Sequence, residues 1–430
     1  MNYQEAVDFI HSIEVFGSRP GLERISALLD LMENPQNGLT IIHVAGTNGK
    51  GSTSAMIANI LLECGYKVGL FISPYLESFN ERIQINNKPI AKEAIASLVN
   101  DIKPHVETVA KTEAGHPTQF EVVTAMGFDY FKKAEVDFVI LEVGLGGTYD
   151  ATNVVNPLIS VITSIGLDHQ AVLGDTLEQI AKEKAGIIKE GVPVVTGVKE
   201  EAPLHVIKEV ARRNNASIFV LGEDFSVKRT EFSLSGQKFN YTSNDNSVKA
   251  SIKFIGKHQV ENASLAITAV NLLPNLGYQI DSDKMLKGLG EASWPGRLEV
   301  MQREPLLILD GAHNNQATSV IRSAIKELHE DQIIAVLGIL ADKEYDQMIK
   351  DIATLAKKVI ITAPDYYRAL DTDALLKSAQ KYCDDCEIIA GVPNAVEGAL
   401  RLSKEDDLIL ITGSLYTIGE ARSHILTKLK

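Results

Sequence analysis

The chain has 430 residues, which is too long for a single hydrophobic core and predicts two or three domains. A net charge of −14 argues against nucleic-acid binding, because neutralising phosphates requires a basic surface. Three cysteines are too few for a disulfide framework, and neither a leader sequence nor a long apolar run is present, so we expect a cytosolic protein that does not enter a membrane.

The first chemical signal is a glycine-rich turn between a predicted strand and a predicted helix. The β-branched run 39–44 predicts a buried strand, and residues 54–62 have apolar side chains at helical spacing. The turn between them reads Gly46-Thr47-Asn48-Gly49-Lys50-Gly51-Ser52-Thr53. Glycines let successive N–H groups point inward towards phosphates, and Lys50 and Ser52 can contact the outer phosphates and a magnesium ion.

The turn matches the common nucleotide-binding pattern only in part. Val44 stands where that pattern has its first glycine, and Gly51 separates Lys50 from Ser52. A glycine-rich turn without a ligand is therefore the structural alternative, although the lysine between two glycines favours phosphate binding.

Polar side chains follow three further predicted strands, at residues 67–72, 136–141 and 158–163. They are Ser73, Glu142 and the pair Asp168-His169. Ligands of open α/β sheets bind beyond the carboxyl ends of the strands. Glu142 carries the strongest signal, because a carboxylate directly after an apolar strand needs a metal ion or water to offset its desolvation.

Two predicted helix starts carry the pattern of a capping box. Thr118-Gln119-Phe120-Glu121 opens a helix over 118–133, and Thr176 with Gln179 opens a helix that ends near Gly186. Capping alone explains Thr118 and Glu121, and Phe120 fits either the core or the wall of a flat aromatic pocket. Lys184 lies in the last turn of the second helix, where a cation also suits the helix dipole.

The remaining pattern completes an α/β fold. Residues 225–255 predict a small antiparallel patch with turns at Ser-Gly and Asn244-Asp245-Asn246, and a long helix follows to residue 273. Strands at 306–309, 333–340, 359–363 and 408–411 alternate with helices and predict a second parallel sheet. We place the domain boundary at Trp294-Pro295, which gives an N-terminal P-loop ATPase domain (1–294) and a C-terminal Rossmann-like domain (295–430).

Nine motifs in this order resemble those of bacterial folylpolyglutamate synthases, including the bifunctional dihydrofolate synthase form, within the Mur ligase superfamily. The motifs are Gly46 to Ser52, Ser73-Pro74, Glu142 to Asn153, Asp168-His169, Glu183 to Gly186, His258 to Asn262, Trp294 to Arg297, Asp310 to Asn314 and Gly413 to Tyr416. The resemblance spans nearly the whole chain, and the joint occurrence of the motifs is far more specific than the phosphate loop alone.

The resemblance implies an ADP-forming ligase that joins L-glutamate to a folate, with dihydropteroate left open as a second acid substrate. Phosphorylation of the acid carboxylate by ATP gives an acyl phosphate, which the amino group of glutamate then attacks. The implied cofactors are ATP and two magnesium ions. The implied partners are these small molecules alone, with no nucleic acid and no membrane, and the implied oligomeric state is a monomer.

The resemblance also assigns roles to residues. The catalytic residues would be Lys50, Lys184 and His313, with Lys184 carbamylated. The ATP contacts would be Asn48, Gly49, Lys50, Gly51, Ser52, Asn262, Arg297 and Asp310. The magnesium ligands would be Ser73, Glu142 and His169. The pterin or folate contacts would be Thr118, Gln119, Phe120, Glu121, Tyr149, Asp150 and Ala151. The glutamate contacts would be His313 and Ser414.

Two departures from the family pattern leave substrate preference open. Many members carry arginine at the position of Thr148 and histidine at the position of Tyr75. A ligase of peptidoglycan synthesis is the alternative function, but those enzymes carry a nucleotide-sugar-binding domain before the loop, where this chain has only about 45 residues. A nucleotide switch without ligase activity would leave the Asp310 to Asn314 motif unexplained.

Overall fold

The structure, a computed structural model, describes residues 1–13, 20–243, 246–341 and 343–428. These residues form two compact units: 1–228 with 239–252 and 261–292, and 229–238 with 253–260 and 293–430. The proposed division between residues 294 and 295 stays a prediction. Part of the predicted turn at Asn244-Asp245-Asn246 lies outside the described residues.

The first unit contains an eight-stranded sheet. Its strands are β1 (Ile41–Ala45), β2 (Val68–Phe71), β3 (Ile83–Ile85), β4 (Lys88–Pro89), β5 (Phe138–Glu142), β6 (Ile159–Ile162), β7 (Val194–Thr196) and β8 (Ile218–Val220). The order is β4-β3-β2-β5-β1-β6-β7-β8, and every pairing from β2 to β8 is parallel. β1, the strand before the phosphate loop, is therefore central, and both of its neighbours end beside that loop.

Helices cover both faces of this sheet, as a parallel sheet requires. They are α1 (Tyr3–Ser12), α2 (Glu23–Leu31), α3 (Lys50–Glu63), α4 (Lys92–Val109), α5 (Gln119–Lys133), α6 (Gln170–Leu173), α7 (Leu177–Ala185), α8 (Glu201–Arg213) and, further along the chain, α10 (Ser282–Glu291). One apolar core joins the sheet to α1, α2, α4 and α5, and another joins it to α7 and α8. Both predicted capping boxes, at Thr118 and at Thr176, are confirmed.

A three-stranded sheet and a long helix follow the large sheet along the chain. The strands are β9 (Phe225–Ser233), β10 (Gly236–Ser243) and β11 (Asn246–Ile252), in the order β11-β10-β9, and the helix is α9 (Lys257–Leu272). Two residues join β9 to β10, so these strands run antiparallel, in agreement with the predicted patch.

The second unit contains a six-stranded sheet. Its strands are β12 (Glu299–Arg303), β13 (Leu306–Asp310), β14 (Ile333–Leu337), β15 (Ala356–Ile361), β16 (Cys386–Ile388) and β17 (Leu408–Thr412). The order is β12-β13-β17-β14-β15-β16, parallel except for β12 against β13. Its helices are α11 (Asn315–Leu328), α12 (Tyr345–Ala353), α13 (Thr372–Ala379), α14 (Val392–Leu402) and α15 (Leu415–Lys428).

The predicted α/β fold with two mainly parallel sheets is confirmed. In the described ranges, no helix combines the length and the apolar character that crossing a membrane requires.

Candidate functional site

The phosphate loop leaves β1 and enters α3 through two glycines with positive φ angles. Gly46 has φ +149° and Gly49 has φ +86°, a value that L side chains adopt only with strain. A Cβ atom on Gly49 would lie 2.5 Å from Oδ1 of Asn262, so α9 passes directly over this turn. The structure thus brings Asn262, a predicted ATP contact, to the loop. Lys50, Gly51 and Ser52 form the first turn of α3, as predicted for a helix that presents its N-terminus to phosphate.

Residues just after β6 hold the loop in place, a feature that the sequence did not predict. The Ser164 hydroxyl accepts the N–H of Asn48 at 3.0 Å and donates to the Asn48 carbonyl, also at 3.0 Å. The Thr163 hydroxyl donates to the same carbonyl at 2.6 Å, and Thr47 donates its N–H to the Ser164 carbonyl at 2.8 Å. The only sequence signal was a polar pair after an apolar strand.

Two lysines meet at one carbonyl of the loop. Nζ of Lys50 and Nζ of Lys184 each donate to the Gly46 oxygen at 3.1 Å. Lys184 is buried, and burial together with the charge of Lys50 lowers its pKa to about 7. Two like charges this close favour binding of a polyanion, since an anion would relieve their repulsion.

Ser73 and Glu142, two of the three predicted magnesium ligands, lie together. The N–H of Ser73 donates to Oε2 of Glu142 at 3.2 Å, and Glu142 is only 5% exposed. The Ser73 hydroxyl is buried and has no hydrogen-bond partner among the residues that the structure describes. A buried carboxylate beside an unsatisfied hydroxyl oxygen supplies the hard oxygen ligands that Mg²⁺ prefers, so this pair fits the ion.

His169, the third predicted ligand, is half exposed and has a left-handed backbone at the start of α6. Its Nε2 atom lies 3.8 Å from Oδ1 of Asp168. Among the described residues, no group of three His, Cys, Asp or Glu side chains forms a ready-made metal site. The role of His169 stays a prediction.

The predicted pterin segment begins at the N-terminus of α5. The Thr118 hydroxyl accepts the N–H of Glu121, and the Glu121 carboxylate accepts the N–H of Thr118 at 2.6 Å. Arg24 of α2 pairs with both oxygens of the same carboxylate at 3.1 Å, and both side chains are buried. The sequence did not identify Arg24, which is buried in α2 together with Ile25 and Leu28. Gln119, also in the predicted segment, is the first residue of α5.

Phe120 lies over the glycine loop that follows β5. A Cβ atom on Gly144 would meet the Phe120 ring at 2.5 Å and the Asp150 carboxylate at 3.1 Å, so two predicted pterin contacts flank one glycine. Asp150 is buried and its carboxylate accepts the N–H of Leu145 at 2.8 Å. Tyr149 is 56% exposed, whereas Ala151 is buried. The structure therefore places aromatic, carboxylate and backbone groups around the loop at Gly144.

In the second unit, Asp310 and Arg297 share one environment. The Asp310 carboxylate accepts the N–H groups of Leu298 and Ala312, each at 2.8 Å. Burial raises the pKa of Asp310, and the nearby Arg297 guanidinium opposes that rise. Nδ1 of the His313 ring donates to the Gly311 carbonyl at 2.9 Å. Asp310 ends β13 and His313 lies between β13 and α11, whereas Arg297 comes just before β12.

Ser414 follows β17, next to β13 in the sheet. Its buried hydroxyl lies 2.9 Å from the Thr417 hydroxyl and accepts the Thr417 N–H. Two residues further on, Tyr416 stacks on Tyr366 with a centroid distance of 3.9 Å, and Arg368 lies over the Tyr366 ring. The sequence did not identify Tyr366 or Arg368, because they come from a distant loop after β15.

Comparison with known proteins gives matches along nearly the whole chain. The family described as Mur ligase middle domain matches residues 44–270, and the Mur ligase glutamate ligase domain matches residues 296–415. The dihydrofolate synthase/folylpolyglutamate synthase of Bacillus subtilis is 41% identical, covering 98% of this chain and 99% of the relative.

Solved structures agree with the sequence matches. The Mycobacterium tuberculosis folylpolyglutamate synthase complexed with ADP and AMPPCP superposes with a TM-score of 0.91 at 32% identity, covering 99% of both chains. A structure described as an FPGS–AMPPCP–folate complex superposes with a TM-score of 0.85 at 34% identity, covering 99% of this chain and all of the other.

Proposed function

Since the chain belongs to the Mur ligase family and, within it, to the folylpolyglutamate and dihydrofolate synthases, we propose that it joins L-glutamate to a folate at the expense of ATP. Dihydropteroate is the second acid that we propose to test. The relative in complex with ADP and AMPPCP supports ATP as a substrate, and the structure described as an FPGS–AMPPCP–folate complex supports folate.

The observation that carries the proposal is the meeting of Lys50 and Lys184 at the Gly46 carbonyl. Bare carboxylates are poor electrophiles, so ligation needs a phosphoryl group on the acid, and the protein contributes positioning and charge neutralisation. The Lys50 ammonium group at the start of α3 contributes that neutralisation for a triphosphate.

The remaining residues divide the work between orientation and binding. Ser164 and Thr163 hold the loop backbone so that the N-terminus of α3 faces the phosphates. Ser73 and Glu142 would hold magnesium, which when bound neutralises charge on the phosphates. The pterin acid would lie against Phe120 and the loop at Gly144, with its carboxylate directed to the phosphate loop. In the second unit, His313 and Ser414 would contact glutamate.

Lys184 is proposed to carry a carbamate. Only the neutral amine reacts with carbon dioxide, forming an N–C bond and releasing a proton, and a pKa of about 7 leaves a large neutral fraction at physiological pH. The product is an anionic oxygen ligand beside the cation of Lys50. Intact-protein mass spectrometry at neutral pH in bicarbonate would detect one added carbon dioxide, and Lys184→Ala would lose it.

The test of function is an ADP-release assay with each substrate omitted in turn. We expect ADP release only when ATP, glutamate and either tetrahydrofolate or dihydropteroate are present, with the glutamylated product found by mass spectrometry. Release that depends on a UDP-sugar acid would favour the peptidoglycan alternative. Hydrolysis that is indifferent to the acid and to glutamate would exclude a ligase.

We also propose that the active form is a cytosolic monomer that needs only these small molecules. Activity that changes with protein dilution, or a dimer in size-exclusion chromatography, would contradict the monomer.

A further inference from the structure

A histidine lies in the central strand of the first sheet, where its neighbours along the strand are apolar. His43 has no exposed surface, and the rest of β1 consists of isoleucine, valine and alanine. Burying an imidazole costs free energy unless its polar atoms are hydrogen bonded. The proposed mechanism gives His43 no role, although its strand leads directly into the phosphate loop.

His43 is the first member of a buried chain of hydrogen bonds. Its Nε2 atom lies 2.8 Å from the Thr152 hydroxyl, which donates to the Asp150 carboxylate over 2.5 Å. The same carboxylate accepts the backbone N–H groups of Thr152 at 3.0 Å and of Leu145 at 2.8 Å. This chain of hydrogen bonds therefore connects the middle of the sheet to the glycine loop under Phe120.

Which group donates in each of these hydrogen bonds follows from the number of hydrogens available. Three donors point at the Asp150 carboxylate, so it serves as the acceptor. The single hydroxyl hydrogen of Thr152 goes to Asp150, and His43 therefore donates from Nε2.

The environment of the imidazole agrees with this direction. Burial, and secondarily Lys189, lower the pKa of His43 to about 3, so the ring is neutral and Nδ1 carries no hydrogen. Nδ1 is buried, and in the described part of the chain it has no hydrogen-bond partner. An unsatisfied acceptor is tolerated in protein interiors better than a buried N–H without an acceptor, which the opposite tautomer would create.

We propose that His43 is a positioning residue for the acid substrate: through Thr152 it orients the Asp150 carboxylate, which holds the loop 144–147 beneath Phe120. The proposal rests on the proposed function, in which the pterin acid binds against Phe120 and the loop at Gly144. Both oxygens of Asp150 already accept hydrogen bonds from the protein, so its orientation is fixed before substrate arrives. The loop is thereby pre-organised for binding.

The variants separate the hydrogen-bond chain from general packing. His43→Leu and Thr152→Val remove one donor each and keep apolar volume, whereas His43→Gln and Thr152→Ser restore a donor or hydroxyl near the original position. Ser160→Ala is the matched control. Ser160 on β6 lies opposite His43 in the strand register and is equally buried. Its hydroxyl donates to the Ile187 carbonyl and takes no part in the hydrogen bonds that lead to Asp150.

The kinetic readout is the split between two Michaelis constants. For His43→Leu and Thr152→Val we expect the KM of the pterin acid to rise about tenfold while the KM of ATP stays within about twofold, the effect of losing one buried hydrogen bond. His43→Gln and Thr152→Ser should recover most of the loss. An unchanged acid KM, or an equal rise in both constants as for a general loss of packing, would overturn the proposal.

A second readout needs no substrate. Hydrogen–deuterium exchange at the Leu145 amide should be faster in Thr152→Val than in wild type or in Ser160→Ala, because the acceptor of that N–H is no longer held. Unchanged exchange would overturn the proposal even if every variant were active. A wild-type protein that releases no ADP with any pterin acid would instead remove the proposed function, and exchange would still decide whether His43 and Thr152 position the loop. If His43→Leu fails to fold, the comparison of Thr152→Val with Thr152→Ser tests the same chain.

Discussion

The two parallel sheets carry polar residues at the same topological position but balance their charges differently. Beyond β1, the Lys50 and Lys184 ammonium groups share one carbonyl, and the pKa of Lys184 is lowered. Beyond β13, the carboxylate of Asp310 is held by two backbone N–H groups and lies near Arg297. At the first edge two lysine side chains therefore share one neutral acceptor, whereas at the second edge a buried carboxylate lies near a cation.

This difference shows that sheet topology places a site without deciding its chemistry. Both edges collect the ends of buried strands, which is where open α/β sheets bind ligands. The pair of lysines at the first edge suits a polyphosphate. The balanced set at the second edge suits a smaller ligand that carries both charges, such as an amino acid.

Removing the buried cation of the first edge should have the largest effect. We expect Lys184→Ala to lower kcat by about 10²–10³-fold, because it removes a charged group aimed at the reacting phosphates. Added short carboxylates should restore part of the activity by replacing the proposed carbamate. Lys182→Ala, an exposed lysine of the same helix, is the control. Wild-type turnover in Lys184→Ala would remove this lysine from the site.

The Ser73 hydroxyl tests whether the first edge holds magnesium. Ser73→Ala should raise the Mg²⁺ concentration needed for half-maximal activity by about 10–100-fold, the range seen when a metal's supporting groups are lost. The metal-free protein should lose no stability, because the hydroxyl has no partner. Thr362→Val is the matched control, since Thr362 is a buried, unpaired hydroxyl beyond β15 at the second edge. An equal magnesium dependence in the two variants would contradict the assignment.

The lowered pKa of Lys184 predicts how stability varies with pH. Between pH about 7 and pH 10.5 the folded protein binds fewer protons than the unfolded chain. The free-energy cost of burying the charge of Lys184 is therefore full below pH about 7 and fades as the pH rises towards 10.5. In buffer free of carbon dioxide, Lys184→Met should raise the free energy of unfolding at pH about 6.5 more than at pH about 9.5. Urea denaturation at both pH values measures this. A gain that is the same at both pH values would contradict a lowered pKa of Lys184.

The smallest expected effect comes from removing helix caps, and it distinguishes the cap of α5, which borders the proposed pterin site, from the cap of α7, which does not. Thr118→Val and Thr176→Val each remove the threonine of a capping box, and each should lower the free energy of unfolding by about 1 kcal/mol. Only Thr118→Val should also raise the KM of the pterin acid, because Phe120 lies in the turn that it caps. Equal KM values for the two variants would show that the start of α5 does not contact the acid.

Local features of the fold were predictable from the sequence. The glycine-rich turn, the strand before it, the helix after it and both capping boxes depend on residues within a few positions of one another. The predicted strand at 306–309 differs from β13 by one residue, and the predicted helix at 118–133 differs from α5 by one.

Contacts between distant segments were not predictable, because no periodicity records them. Ser164 binds Asn48 from 116 positions away, Arg24 binds Glu121 from 97 positions away, and His43 reaches Thr152 across 109. In the candidate site, the residue types at strand ends gave the chemistry. The groups that hold those residues in place became visible only in three dimensions.

The Arg24–Glu121 pair constrains how this sequence can evolve. Losing Arg24 alone would leave the buried Glu121 carboxylate without this cation at a cost of about 3–5 kcal/mol, a large part of the stability of a typical domain. Replacing both with apolar residues could be nearly neutral for folding, yet every single-step path to that sequence crosses a poorly folded intermediate. Glu121 also caps α5, so the apolar substitute would lose that function as well. Drift at these two positions should therefore be slow and correlated.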